Sequence, residues 1–186
     1  MDVYMETERL ILRWFTADDL ELLVDLDSDP EVKHFIDNGA PVDRAELAEQ
    51  LDRLTIYDRE AGFGRWVAHE KTSGDFLGWF HFRASDEHGP LEPQLGYRLR
   101  RAAWGKGFAT EGSIALIDRG FRELGVERVY AETMAVNTRS RRVMEKVGLR
   151  LVREFKLDWP VYIEGNEHGD VEYAITRAEW LAANAD

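Results

Sequence analysis

The sequence predicts one α/β (α+β) domain over residues 1–186, a mixed, mostly antiparallel, twisted sheet flanked by helices. Three observations lead there. Strand-like and helical runs interleave, with three consecutive strand-like runs in the middle of the chain. A glycine-bearing turn then joins the last of those strands to a long amphipathic helix. Finally, 186 residues suffice for one sizeable core and are short for two, and no linker-like stretch divides them.

Taken in order, Glu8 to Trp14 reads as a strand. Thr16 caps a helix carrying Leu20, Leu23 and Leu26, with Asp18 and Asp19 in its first turn. Asp29-Pro30 restarts the chain into a short helix over Val32 to Ile36, and Asn38-Gly39 turns it. Residues 43–60 form another helix, with Leu47, Leu51 and Leu54 on one side. Arg65 to His69 and Asp75 to Arg83 pair across Thr72-Ser73-Gly74. Residues 85–93, rich in Gly, Pro and polar side chains, read as a loop before the strand Gln94 to Arg100. Gly107 to Leu124 is a helix with Ile114, Ile117, Phe121 and Leu124 inward, ended by Gly125. A strand over Arg128 to Ala135, a helix over 138–147, strands over 149–157 and 171–176 and a short C-terminal helix complete the chain. The middle suggests an antiparallel meander followed by crossovers, which disfavours a purely parallel sheet.

Composition excludes several chemistries. There is no cysteine, so disulfides, thiolate catalysis and Cys-ligated zinc are out. The five histidines show no metal-ligand spacing, and no metal is expected. A net charge of −12 is the wrong sign for a nucleic-acid binder. No apolar run approaches the ~20 residues of a membrane span, and the acidic start is no signal peptide; a cytoplasmic location is the expectation.

The turn Trp104-Gly105-Lys106-Gly107-Phe108-Ala109-Thr110 carries the functional signal. A strand that runs through a glycine turn into a helix aims several N–H groups at one point, where the helix dipole adds positive potential. Two glycines admit an anion close to the backbone, and Lys106 adds a cation. That suits a pyrophosphate. The Walker pattern fails because Gly107 follows Lys106, and the dinucleotide fingerprint fails at Thr110.

Trp104 to Glu111 resembles the acyl-CoA-binding segment of the GNAT superfamily of N-acetyltransferases, in particular its RimJ/RimL-like branch. Glu8 to Arg13 is similar to that branch's opening strand, Gly74 to Phe82 to its middle hairpin, and Leu95-Gly96-Tyr97 to the strand before the loop. Asn137-Thr138-Arg139-Ser140 with Met144 to Leu149 resembles its second cofactor-contacting helix. The resemblance covers about residues 7–176. It implies the GNAT-like (acyl-CoA N-acyltransferase) fold, acetyl-CoA as co-substrate, an amine as acceptor, and direct transfer. A homodimer is compatible with the branch. Trp104 stands where the superfamily usually has Gln or Arg, which leaves backbone N–H groups as the main pyrophosphate ligands.

Three roles then need residues. Glu92 is the leading general base for the amine, with Glu132 in reserve; Gln94 occupies a place where relatives often carry Glu. A backbone N–H near Leu99 would bind the oxyanion, and free main chain there would pair with pantetheine. Met144 replaces the tyrosine that many relatives use to protonate the thiolate, so Ser140 takes that role, and Asn137 caps its helix or binds pantetheine. The basic cluster Arg139, Arg141 and Arg142 reads chiefly as a solvated helix face. The loss of those two family residues leaves a non-catalytic acetyl-CoA-binding module as the alternative. Acceptor choice is expected to lie in residues 29–60 and in the loops 85–93 and 158–169.

Overall fold

A computed structural model describes residues 2–55, 61–85 and 89–185. The strands are β1 (Val3–Glu6), β2 (Leu10–Trp14), β3 (Gly64–Glu70), β4 (Phe76–Ser85), β5 (Gly89–Leu99), β6 (Arg128–Met134), β7 (Arg150–Phe155) and β8 (Asp170–Thr176). The helices are α1 (Leu20–Asp27), α2 (Pro30–Asp37), α3 (Arg44–Thr55), α4 (Phe108–Glu123), α5 (Thr138–Lys146) and α6 (Arg177–Ala183). The strands form one sheet in the order β1-β2-β3-β4-β5-β6-β8-β7. Every neighbouring pair is antiparallel except β5 and β6, which are parallel.

Two apolar clusters sandwich the sheet. On one face Trp66, Phe80, Phe82, Leu95 and Val171 meet Leu116, Ile117 and Phe121 of α4. On the other Val67, Phe76 and Trp79 meet Leu23, Leu26, Leu47, Leu51 and Leu54 of α1 and α3. A β-bulge lets β4 serve both: the register passes from Ala68↔Gly78 to His69↔Phe76 and skips Leu77. Gly78 sits there at φ 134°, and a Cβ would lie 2.1 Å from the Arg98 carbonyl oxygen. Beyond the bulge Phe80 and Phe82 point to α4, while Trp79 and His81 take the opposite face.

Several expectations need correction. β1 was not foreseen. The supposed loop 85–93 is largely strand, since β5 begins at Gly89, with residues 86–88 outside the described residues. Helix 43–60 is present as Arg44–Thr55, and its last part also lies outside them. On α4, Ile114 is 43% exposed, and the buried stripe runs through Gly112, Leu116, Ile117 and Gly120. The two glycines explain the shift: a Cβ at Gly112 would come within 2.5 Å of the Phe80 ring, and one at Gly120 within 2.8 Å of Phe82. The aromatic rings occupy the space that a leucine-type ridge would have needed. Thr16 precedes a 3-10 turn, Ala17–Asp19, rather than α1 directly.

Arg13 and Asp19 fasten this turn to the sheet. Two bonds, Nη1 to Oδ2 at 2.7 Å and Nη2 to Oδ1 at 2.6 Å, join side chains that are almost wholly buried. Burial alone would raise the Asp19 carboxyl, but Arg13 and the Thr16 amide outweigh it and hold the group below the usual carboxylate range. The pair's contribution is therefore full at neutral pH and fades as pH falls below the unfolded value of ~3.9. Asp19→Asn is expected to lower unfolding free energy by about 3 kcal/mol at pH 7. In urea titrations the gap from wild type should close as the medium is acidified.

Candidate active site

β5 and β6 run side by side in parallel but share a single pairing, Gln94↔Tyr130. Beyond it they diverge toward their carboxyl ends, and β5 keeps only β4 as a partner through Leu99. A cleft of about 1,110 Å³ opens there, the position at which open α/β sheets bind ligands. The Leu99 carbonyl accepts a hydrogen bond from the Trp104 indole at 2.8 Å, so Trp104 terminates the open strand.

One half of the cleft is the turn and the start of α4. Gly105 (φ 72°) and Gly107 (φ 85°) lie in the left-handed region that favours glycine. The first intrahelical bond is Glu111 N–H to the Gly107 carbonyl, so the amides of Phe108, Ala109 and Thr110 have no helical acceptor. Leu99, Trp104, Gly105, Gly107, Phe108, Ala109 and Thr110 all line the cleft, whereas the Lys106 side chain does not. The Lys106 carbonyl instead accepts from Arg9 at 2.9 Å. Arg9 also pairs with Glu111 at 2.7 Å and lies over the Phe108 ring. Glu111 further accepts from the Arg9 amide and the Thr7 hydroxyl. Burial would raise its carboxyl, but those partners hold it below the ordinary range. The opening hairpin thus clamps the turn. The sequence marked Glu8 to Arg13 only as part of a strand, because the partner of Arg9 is a hundred residues away.

α5 closes the other side. Asn137 caps it, accepting from Ser140 N–H at 3.2 Å while donating to the Thr133 hydroxyl at 3.1 Å. Arg139 and Arg142 line the cleft, with Arg139 stacked 4.9 Å over Trp104; Arg141 turns away to Tyr173. Ser140 reaches the cleft, and its Oγ lies 3.2 Å from the Tyr97 hydroxyl. Burial pushes Tyr97 up to about 12, against a lowering from the Ser140 bond. Met144 is buried in the core. A tyrosine therefore does face Ser140, but it comes from β5, which no spacing within the α5 motif could have revealed.

The two candidate bases part company. Glu92 pairs with Arg128 at 3.1 Å and does not line the cleft. Glu132 does, and its Oε2 accepts from the Gln94 side-chain amide at 3.1 Å. Gln94, which cannot take up a proton, instead orients the neighbouring carboxyl. Trp79, His81 and Asp170 complete this face, with Phe35 of α2 and Trp159 beyond. Of the segments expected to govern acceptor choice, α2 and Trp159 reach the cleft, and the described part of 85–93 does not. His81 has a packing role on this face. Its ring stacks on Trp79 at 5.6 Å and fills the space above Gly96, where a Cβ would lie 2.4 Å from its Nε2. Both ring nitrogens are buried without a hydrogen-bond partner among the described residues. Burial, reinforced by Arg65, Arg83 and Arg98, pushes the imidazole well below its usual range and keeps it neutral. No group of three metal-ligating side chains occurs among the described residues; His88 lies outside them.

Residues 9–150 match the acetyltransferase (GNAT) domain family. The chain is 33% identical over 184 residues to the FsC-acetyl coenzyme A-N(2)-transacetylase of Aspergillus fumigatus, spanning 95% of this chain and 77% of the relative. A GNAT-family acetyltransferase from Bacillus anthracis superposes with a TM-score of 0.79 at 26% identity, covering 96% and 100% of the two chains. The RimL ribosomal L7/L12 alpha-N-protein acetyltransferase, solved with coenzyme A, shares the fold at a TM-score of 0.77 and 16% identity, covering 94% and 98%. With a glycine turn at a helix start, a parted strand pair and these likenesses together, the chain belongs to the GNAT family of acetyl-CoA-dependent N-acetyltransferases.

Proposed function

We propose that this enzyme acetylates a primary amine, either a protein N-terminus or a small-molecule amine, by direct attack on acetyl-CoA held between β5 and β6. The observation that carries the proposal is the divergence of those strands beside the α4 turn. Acetyl-CoA lays its pyrophosphate on the amides of the turn and its pantetheine along the open edge of β5. Binding both substrates in one cleft supplies proximity. Glu132 takes the amine's proton, directly or through water, and Gln94 holds it in place. Both carboxylates meet an arginine, Glu92 with Arg128 and Glu132 with Arg153, but Glu92 lies off the cleft, which argues for a structural part rather than the base role. Main-chain N–H near Leu99 stabilises the oxyanion, and Ser140, hydrogen-bonded to Tyr97, protonates the departing thiolate. A cytoplasmic location and a homodimer complete the proposal. No described helix is long and apolar enough to cross a membrane, and β7 leaves a sheet edge with Leu151 and Val152 exposed.

An acceptor screen with acetyl-CoA, reading free thiol, tests the activity. Peptides with varied first residues, polyamines and aminoglycosides form the panel. Release of CoA with at least one acceptor supports the proposal. Cofactor binding without release across the panel supports the non-catalytic module.

Gly107→Val should raise the acetyl-CoA KM at least about tenfold, because valine resists positive φ and blocks close approach of a phosphate. Unchanged cofactor affinity in a folded variant counts against the turn. Glu132→Gln keeps the Gln94 contact but not the basicity, so kcat should fall about 100-fold or more; an unaltered kcat removes Glu132 from the base role. Tyr97→Phe should lower kcat about tenfold through Ser140. Because Tyr97 stays protonated to near pH 12, the alkaline limb of the rate profile up to pH 10 should be the same in both proteins. A limb that vanishes with the hydroxyl refutes this arrangement.

A further inference from the structure

Among the described residues four acidic side chains are buried: Asp19, Asp27, Asp170 and Glu172. Three of them meet arginine. Asp19 pairs with Arg13, Asp27 with Arg98 at 2.7 Å, and Glu172 with Arg128 and Arg153. Asp170 meets no cation among the described residues. It is only 2% exposed, and its hydrogen bonds come from two neutral donors, Leu157 N–H at 3.1 Å and the Trp159 indole at 3.4 Å, both to Oδ2. Oδ1 takes no hydrogen bond from the described residues, although Asp170 lines the cleft. A carboxyl taken out of water is ordinarily matched by a positive group. Here the matching group is missing at the one buried acid that faces the substrate site.

Its position fits a reacting amine. Asp170 opens β8 opposite Met134, at the end of β6 where the gap from β5 is open. It lies two residues before Glu172 on β8, and Glu172 is in register with Glu132, so all three share one face of the sheet. Trp159, whose indole holds Oδ2, also lines the cleft and offers a ring surface to a cation.

We propose that Asp170 Oδ1 binds the ammonium group of the incoming acceptor, which therefore enters as a primary alkylammonium ion beside Trp159. The ammonium N–H groups donate to Asp170, the proton then passes to Glu132, and the neutral nitrogen attacks the thioester. The N–C bond forms and the C–S bond breaks as the nitrogen gives up its second proton, which reaches the CoA sulfur through Ser140, so that CoA leaves as the thiol. This inference rests on the acetyltransferase reading of the same cleft.

The test is calorimetric titration of n-butylammonium chloride into protein saturated with CoA, which cannot react. Wild type is expected to bind it, and Asp170→Asn to bind it at least about tenfold more weakly. The amide keeps an oxygen for Leu157 and Trp159, so a merely structural Asp170 would leave ammonium affinity unchanged. CoA affinity and melting temperature should be the same in both proteins. Equal affinity for n-butylammonium, including binding by neither protein, overturns the inference while CoA binding preserves the underlying reading. Failure of wild type to bind CoA overturns both. Should the asparagine variant not fold, wild type and Glu132→Gln decide: both must prefer n-butylammonium to n-butanol at least about tenfold, and parity in either sinks the proposal.

Discussion

The site depends on two parallel strands that part after a single pairing. Peptide groups along a strand edge are costly to leave without partners away from water. β5 nevertheless continues past Gln94 with β4 alone beside it. Two side-chain contacts manage the opening. At its apex Gln94 bonds Glu132 across the strands where main-chain pairing stops. At its far end the Trp104 indole satisfies the Leu99 carbonyl. What lies between is a stretch of backbone fitted to accept an extended ligand as a further strand. This gives Trp104 a reason to replace a polar residue: its N–H finishes the strand and its ring supports Arg139.

The glycine turn needs equal support, because residues with positive φ do not rigidify a loop by themselves. Arg9 supplies it. One guanidinium bonds the Lys106 carbonyl, pairs with Glu111 and covers Phe108. Glu111 favours the helix dipole in the first turn but would repel a pyrophosphate bound there. Pairing with Arg9 keeps the first effect and offsets the second. The opening hairpin, remote in sequence, is in this sense part of the proposed cofactor site.

What the sequence revealed and what it hid divides by the range of the interactions. The turn, the Asn137 cap and most of the succession of strands and helices along the chain are local, and their spacing shows them. Pro90 and Pro93 read as loop, yet both sit in β5. The β4–β5 ladder slips between Arg83 and Ser85, and β6 pairs only at Gln94, so few ladder donors are required there. On α4, Ile117 and Phe121 are buried as expected while Ile114 is exposed, because Phe80 and Phe82 press on Gly112 and Gly120 rather than on side chains that periodicity counts. The sequence put Glu92 ahead of Glu132; the structure holds Glu92 against Arg128 off the cleft and sets Glu132, with Gln94 and Arg153 beside it, in the cleft wall. Tyr97 facing Ser140 is a contact across 43 residues. No motif within one helix encodes it.

The charge distribution follows the same logic. An acidic chain that binds a polyanionic cofactor appears self-defeating if only the sum of −12 is counted. Exposed charges more than about 8 Å apart are largely screened at physiological salt, so local arrangement outweighs the total. On the cofactor side the cleft wall carries Arg139, Arg142 and Lys146 together with the helix start. On the acceptor side it carries Glu31, Glu132 and Asp170. On the proposed reading, an anion on the first wall and a cation on the second would approach one another where β5 and β6 diverge. His81, kept neutral by its burial, fills the space over Gly96 without adding a charge to the cleft wall.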